Sequence, residues 1–192
     1  MDELVLASAS KRRRVLLEQL GLKFKVFPSQ VEEDLTSYTS PRSCVLEMAS
    51  SKVQDVAERI SEEALIIGAD TVIYFEDRII GKPAGREEAA ELLYSLSDSC
   101  HQVWTGMVVL NTARDQSRQY LQRTDVFFRR LKESEIDHYL ESDEPWDKAG
   151  AYAIQGMGAA FVKRIEGCFY TVVGLPLGGL MPLLYSLGWK GY

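Results

Sequence analysis

Asp70 stands inside A-L-I-I-G-A-D-T-V-I-Y-F, residues 64–75, a nearly continuous apolar run of the kind that forms a fully buried strand. An ionised carboxylate there is costly unless it meets a cation, binds a metal or serves as a base, and the residue alone leaves all three open. Lys52 is a second misfit. Val45, Ala49, Lys52 and Val56 are spaced 4, 3 and 4, which puts the lysine in the apolar stripe of a helix. It must either snorkel to water or meet an anion. Lys82, in I-G-K-P, is fixed in a tight loop at a strand end. The fourth misfit is L-V-L-A-S-A-S-K-R-R-R-V-L-L, where small residues around Ser8 break an apolar run and Lys11, Arg12, Arg13 and Arg14 open a helix. Helix dipoles disfavour cations in the first turn, so this stretch is either a seat for an anion, phosphate above all, or a solvated basic helix start. Cations clamp phosphates, and carboxylates such as Glu33, Asp70 and Asp147 hold magnesium or activate water. The chemistry these residue types suit is metal-assisted phosphoryl transfer or phosphate-ester cleavage.

The elements that must position them follow from periodicity. A short strand at 4–6 leads into a helix over 11–20, with Ser10 as its N-cap and Gly21 as its stop. A strand at 24–27 precedes the acidic run V-E-E-D, and Ser40-Pro41 starts the helix that carries Lys52. After the strand at 64–75, a short hairpin strand at 79–80, a helix at 86–96 and two antiparallel strands at 102–110 and 120–129 are expected. A helix at 132–141, a hairpin of strands at 159–165 and 169–173, and a final helix at 175–187 complete the chain. Alternation early and hairpins late imply α/β architecture: a mixed central sheet flanked by helices, in two lobes with a cleft. No repeat or linker divides the chain, so 1–192 is expected to be one domain.

Composition narrows the function. With 192 residues and a net charge of −6, the chain can bury a sizeable core but offers no broad basic face for nucleic acid. No apolar stretch of about 18 residues is present to span a membrane. Three distant cysteines fit reduced thiols and a cytoplasmic setting. The two histidines restrict histidine-based mechanisms: His138 falls in a polar helix and is expected at the surface, and His101 opens a strand and is expected half exposed. The P-loop pattern fails because Pro83 follows Gly81-Lys82, and Phe161 replaces the third glycine of a dinucleotide fingerprint after Gly156 and Gly158. Nucleophile-elbow, H-E-x-x-H and EF-hand patterns are absent.

Taken together, L-A-S-A-S-K-R-R-R-V-L-L, V-E-E-D, A-S-S-K-V, I-G-A-D-T-V, I-G-K-P, D-K-A-G-A-Y-A-I-Q-G and V-V-G-L-P-L resemble the Maf family of nucleotide pyrophosphatases, in the family's order and over nearly the whole chain. The resemblance implies an inosine-triphosphate-pyrophosphatase-like fold. It also implies hydrolysis of a nucleoside triphosphate between its α and β phosphates, a divalent metal (Mg or Mn), cytoplasmic nucleotide-pool duties and a homodimer. By the same resemblance Ser8, Arg12 and Arg13 grip the triphosphate, with Arg14 left facing solvent, and Lys52 and Lys82 neutralise phosphate oxygens. Glu33 and Asp70 bind the metal, with Asp70 as proton acceptor. Arg12, Thr71 and Gln155 stand where family branches differ, and A-Y-A-I-Q-G resembles the branch acting on dTTP and UTP. Gln155 can offer a donor and an acceptor to a pyrimidine imide edge. Lys11 departs from the family's usual proline, which would pre-set the first helical turn. The competing reading is a nucleotide-binding regulator of cell division with little or no hydrolysis.

Overall fold

The computed structural model describes residues 3–191; Met1, Asp2 and Tyr192, the ends of the expected domain, lie outside the described residues. The strands are β1 (Glu3–Leu6), β2 (Phe24–Val26), β3 (Ala64–Phe75), β4 (Arg78–Ile80), β5 (Cys100–Asn111), β6 (Gln116–Phe128) and β7 (Val162–Glu166). The helices are α1 (Lys11–Gln19), α2 (Pro41–Arg59), α3 (Arg86–Leu96), α4 (Glu133–Tyr139), α5 (Phe169–Val173) and α6 (Leu177–Ser186), with short 3-10 segments at Pro145–Asp147, Ala149–Ala151 and Met157–Phe161. The strands form one seven-stranded sheet in the order β2-β1-β3-β5-β6-β7, with β4 also paired to β3. β1 runs parallel to β2 and β3, and the remaining pairs are antiparallel. The sheet is therefore mixed, as the alternation and hairpins predict.

Side-chain alternation along β3 sorts the core. Ile67 and Ala69, with Met107 and Val109 of β5, pack against α1 and α6, whereas Ile73 and Val103 on the same face pack under α3 and α4. These two apolar clusters are the two lobes. Between them on that face stand Thr71 and Thr105, paired in register, whose hydroxyls are 2.9 Å apart. The opposite face is covered by α2, which packs on Ile66, Val72 and Val108. Its long apolar stripe buries Val45, Met48, Ala49, Val53 and Val56, and Pro41 at its start fixes the entry.

β3 outruns its neighbours. β1 covers it as far as Ile67 and β4 from Ile73, so among the described residues no strand covers that edge over 68–72. This gap holds Asp70 and Thr71 and opens beyond the carboxyl end of β1, where open α/β sheets place their ligands.

Two expectations are corrected. Residues 159–173 do not form a hairpin: Met157–Phe161 is a 3-10 turn, only Val162–Glu166 is a strand, and Phe169–Val173 is a helix closed by Gly174 in the left-handed region (φ 114°). Burial of Thr171 and Val173 against the sheet overrides the strand preference of this β-branched run. His101 is 1% exposed, not half exposed, because its ring packs edge-on against Phe128 and Tyr152. His138 is at the surface. Among the described residues no helix is long and apolar enough to cross a membrane, and Cys44, Cys100 and Cys168 are unpaired thiols.

Candidate active site

Ser8, Arg12, Arg13, Glu33, Lys52, Asp70, Thr71, Lys82 and Gln155, the residues given a role in the site from sequence, line one cavity of about 350 Å³. Asp147 and Lys148 join them. The cavity wraps the open edge of β3, so that Asp70 reaches it from the α2 face and Thr71 from the other.

Lys52 and Asp70 meet because α2 lies unusually close to the sheet. A side chain at Gly68 would sit 2.7 Å from the Ala49 carbonyl, and one at Gly106 would sit 2.6 Å from that of Val45. Glycine at both positions lets the helix backbone rest on the strands. Lys52 Nζ then lies 2.5 Å from Asp70 Oδ1 and 2.7 Å from Glu33 Oε1, and Lys82 Nζ lies 2.7 Å from Glu33 Oε2. Charge alternates along Asp70, Lys52, Glu33 and Lys82, a chain that begins in the core and ends in solvent. Lys52 resolves its sequence anomaly by pairing with anions and not by snorkelling. Burial pushes the Asp70 carboxyl above its ordinary range, against the pull of Lys52 and Arg13. Burial would raise Glu33 as well, but Lys52 and Lys82 outweigh it and hold that carboxyl at about 2. The buried Cys44 thiol is pushed up to about 12, which removes it as a nucleophile.

The arginines at the start of α1 have different surroundings. Ser10 caps the helix through the Arg13 amide, as its type predicts. Arg13 donates through Nε to the Gly174 carbonyl (2.8 Å), through Nη1 to Ser8 Oγ (3.2 Å) and through Nη2 to Thr71 Oγ1 (3.2 Å), so one guanidinium joins three chain segments. Among the described residues Arg12 Nε is buried without a hydrogen-bond partner. Burial lowers the Arg12 pKa, partly offset by Asp147. Arg14 is exposed and pairs with Glu18 at 2.8 Å. Gln155 is exposed on the cavity rim.

Sequence reasoning missed Thr105, which donates to the Thr171 carbonyl (2.8 Å) and supports Thr71, because only the strand register brings the two threonines together. Tyr152 lines the cavity and contacts His101 Nε2 at 2.7 Å. Glu144 was also missed: its carboxylate accepts hydrogen bonds from Tyr139 and from the amides of Met157 and Gly158. A long-range carboxylate anchor has no local signature.

A two-lobed mixed sheet with cations and carboxylates converging on the open edge of one strand defines an α/β domain with a charged cleft. The chain belongs to the Maf family, since the description "Maf-like protein" matches residues 3–187. A dTTP/UTP pyrophosphatase of Bacillus anthracis is 45% identical over 181 residues, covering 94% of this chain and 93% of its own. One from Pelotomaculum thermopropionicum is 46% identical over 190 residues, covering 99% of each. A HAM1 protein from Coxiella burnetii shares the fold, with a TM-score of 0.54 at 17% identity over 97% of this chain and 100% of that one. The expected α/β architecture, a mixed central sheet flanked by helices, is the one observed.

Proposed function

We infer that this chain hydrolyses dTTP and UTP to the monophosphate and pyrophosphate. Near-full-length identity to relatives bearing that activity in their names supports the substrate class. The observation that carries the chemistry is Asp70, a carboxylate 5% exposed, held by Lys52 at the edge of a cation-lined cavity.

Among the described residues there is no group of three or more side chains able to hold a metal by themselves. Glu33 and Asp70 nevertheless fit magnesium or manganese, which is commonly bound by one or two carboxylates and completed by substrate phosphates and water. The ion would supply a water of lowered pKa and neutralise phosphate charge. The remaining work falls to the chain. Lys52 occupies Asp70 Oδ1 and orients the carboxylate, which leaves Oδ2 to take the proton of the attacking water. Lys52 and Lys82 neutralise phosphate oxygens as charge develops, with Arg12 as a further donor and Ser8 fixed beside Arg13. Gln155 and Thr71 both line the cavity, and Gln155 on its rim matches the C=O and N–H edge of uracil or thymine. A homodimer is carried over from the family likeness, and a monomer in sedimentation would remove it.

The test is pyrophosphate release from dTTP, UTP, CTP and 7-methyl-GTP with magnesium, by the wild type and by Asp70→Asn. Turnover of dTTP and UTP that disappears in the variant is expected. Tight nucleotide binding without release by the wild type would instead support the regulator reading.

A further inference from the structure

Among the described residues the Gln155 side chain has no hydrogen-bond partner, so its backbone places it. That backbone runs directly into Gly156, Met157 and Gly158, and this turn is held from a distance by one side chain. Glu144 Oε2 accepts from the Met157 amide at 2.8 Å, and Oε1 accepts from the Gly158 amide at 2.9 Å and from the Tyr139 hydroxyl at 3.0 Å. Tyr139 is 1% exposed at the end of α4, so the anchor reaches into the core of the second lobe. The fit tolerates no side chain between the partners. A Cβ on Gly156 would lie 2.3 Å from Glu144 Oε2, at a backbone φ of 89° that favours glycine. The Glu144 main chain also serves the site, because its carbonyl accepts from Lys148 Nζ at 2.7 Å and Lys148 lines the cavity.

We propose that Glu144 is a positioning residue for base recognition: its carboxylate clamps the Gly156–Gly158 turn and so fixes where Gln155 presents its amide. The proposal rests on the pyrimidine triphosphate reading above and adds the group that enforces it. Hydrogen bonds to a charged acceptor are the stronger kind, and an amide that fails to meet its base edge loses discrimination more than it loses chemistry. Cytosine offers an amine and a bare ring nitrogen where uracil offers a carbonyl and an N–H. Misplacement of Gln155 therefore shows as a fall in preference for UTP over CTP.

Glu144→Gln keeps the shape and turns one acceptor oxygen into a donor facing donors. Gly156→Ala pushes the turn off an intact carboxylate. For both, the UTP-to-CTP ratio of kcat/KM is expected to fall about tenfold, mainly through KM for UTP, with kcat for UTP within about twofold of wild type. Amide exchange at Met157 and Gly158 should accelerate in Glu144→Gln. Equal losses of kcat for UTP and CTP would overturn the proposal by moving the effect to the phosphates or to the whole fold. An unchanged ratio, or unchanged exchange at the two amides, would overturn it too. Failure of the wild type to release pyrophosphate from any nucleotide is a different result. It defeats the functional reading, while the exchange measurement still reports on the clamp.

Discussion

Asp70 and Gly106 lie directly opposite each other in the ladder between β3 and β5, and the absent side chain of Gly106 is what lets the helix bearing Lys52 come down onto Asp70. Charge pairing and close packing are thus one feature. The buried carboxylate needs its cation, and the cation arrives only if two strands present glycine to α2. The same face then carries a polar pair between two apolar patches, which is how a base can sit in a strand that otherwise reads as pure core.

Gly106→Ala tests this. The added Cβ would lie 2.6 Å from the Val45 carbonyl oxygen and 2.9 Å from the Leu46 amide, both backbone atoms of α2 that cannot rotate away. Overpacking of this kind costs about 1–3 kcal/mol, and thermal denaturation should show it as a lowered Tm. Turnover should fall as well, since α2 carries Lys52. A variant as stable and active as wild type would mean that α2 moves freely and that the close approach does not position the pair.

Asp70→Asn removes the charge and leaves the volume. Loss of a general base lowers turnover by about 10²–10⁴-fold, so kcat for dTTP should drop by that order while calorimetric titration still detects the nucleotide. Lys52 keeps Glu33 as an anion at 2.7 Å, so the lysine is not stranded and the fold should survive. Full activity in the variant would remove Asp70 from the chemistry.

How far the sequence could be read depended on whether a residue clashed with its own neighbours. Lys52 in an apolar stripe and Asp70 in an apolar strand are local contradictions, and both resolve in the cavity. The first turn of α1 was legible for the same reason, although the split between an engaged Arg13 and an unpartnered Arg12 Nε was not. What stayed hidden depends on distant partners. His101 alternates with Val103 and Thr105 toward the core, but its burial is completed by Tyr152, 51 residues away. Phe169–Val173 has strand composition and becomes a helix because that buries Thr171 and Val173 against the sheet. Thr105 and Glu144 look like ordinary surface-compatible residues until register and loop geometry place them.

His101 also sets a pH dependence. Burial lowers its pKa to about 3, below the ordinary value of 6.5, and the neutral ring contacts the Tyr152 hydroxyl through Nε2. Between those two values the unfolded chain binds a proton that the folded chain refuses. Folding stability is therefore unaffected by His101 above about pH 6.5 and falls as pH drops toward 3, by up to about 1.4 kcal/mol per unit from this group. Urea denaturation at pH 7, 6 and 5 should show that slope in the wild type and a shallower one in His101→Gln. Parallel slopes would show that the ring protonates without unfolding.

The neighbouring arginines should respond differently to the same conservative change. Arg13 uses a planar fork, with Nε on Gly174 and the two terminal nitrogens on Ser8 and Thr71. Lysine keeps the charge but cannot hold three acceptors in that geometry. Arg13→Lys should therefore lose about 1–3 kcal/mol of stability and separate the Ser8 loop from β3, and KM and Tm should both worsen. Arg12 Nε has no hydrogen-bond partner among the described residues, so Arg12→Lys breaks no internal bond there and should leave Tm near wild type. Its cost should appear only with substrate, as a raised KM for the triphosphate and a weakened inhibition by pyrophosphate. Equal Tm losses in the two variants would show that Arg12 is as structural as Arg13, and the cavity would then have to hold its anion with the lysines alone.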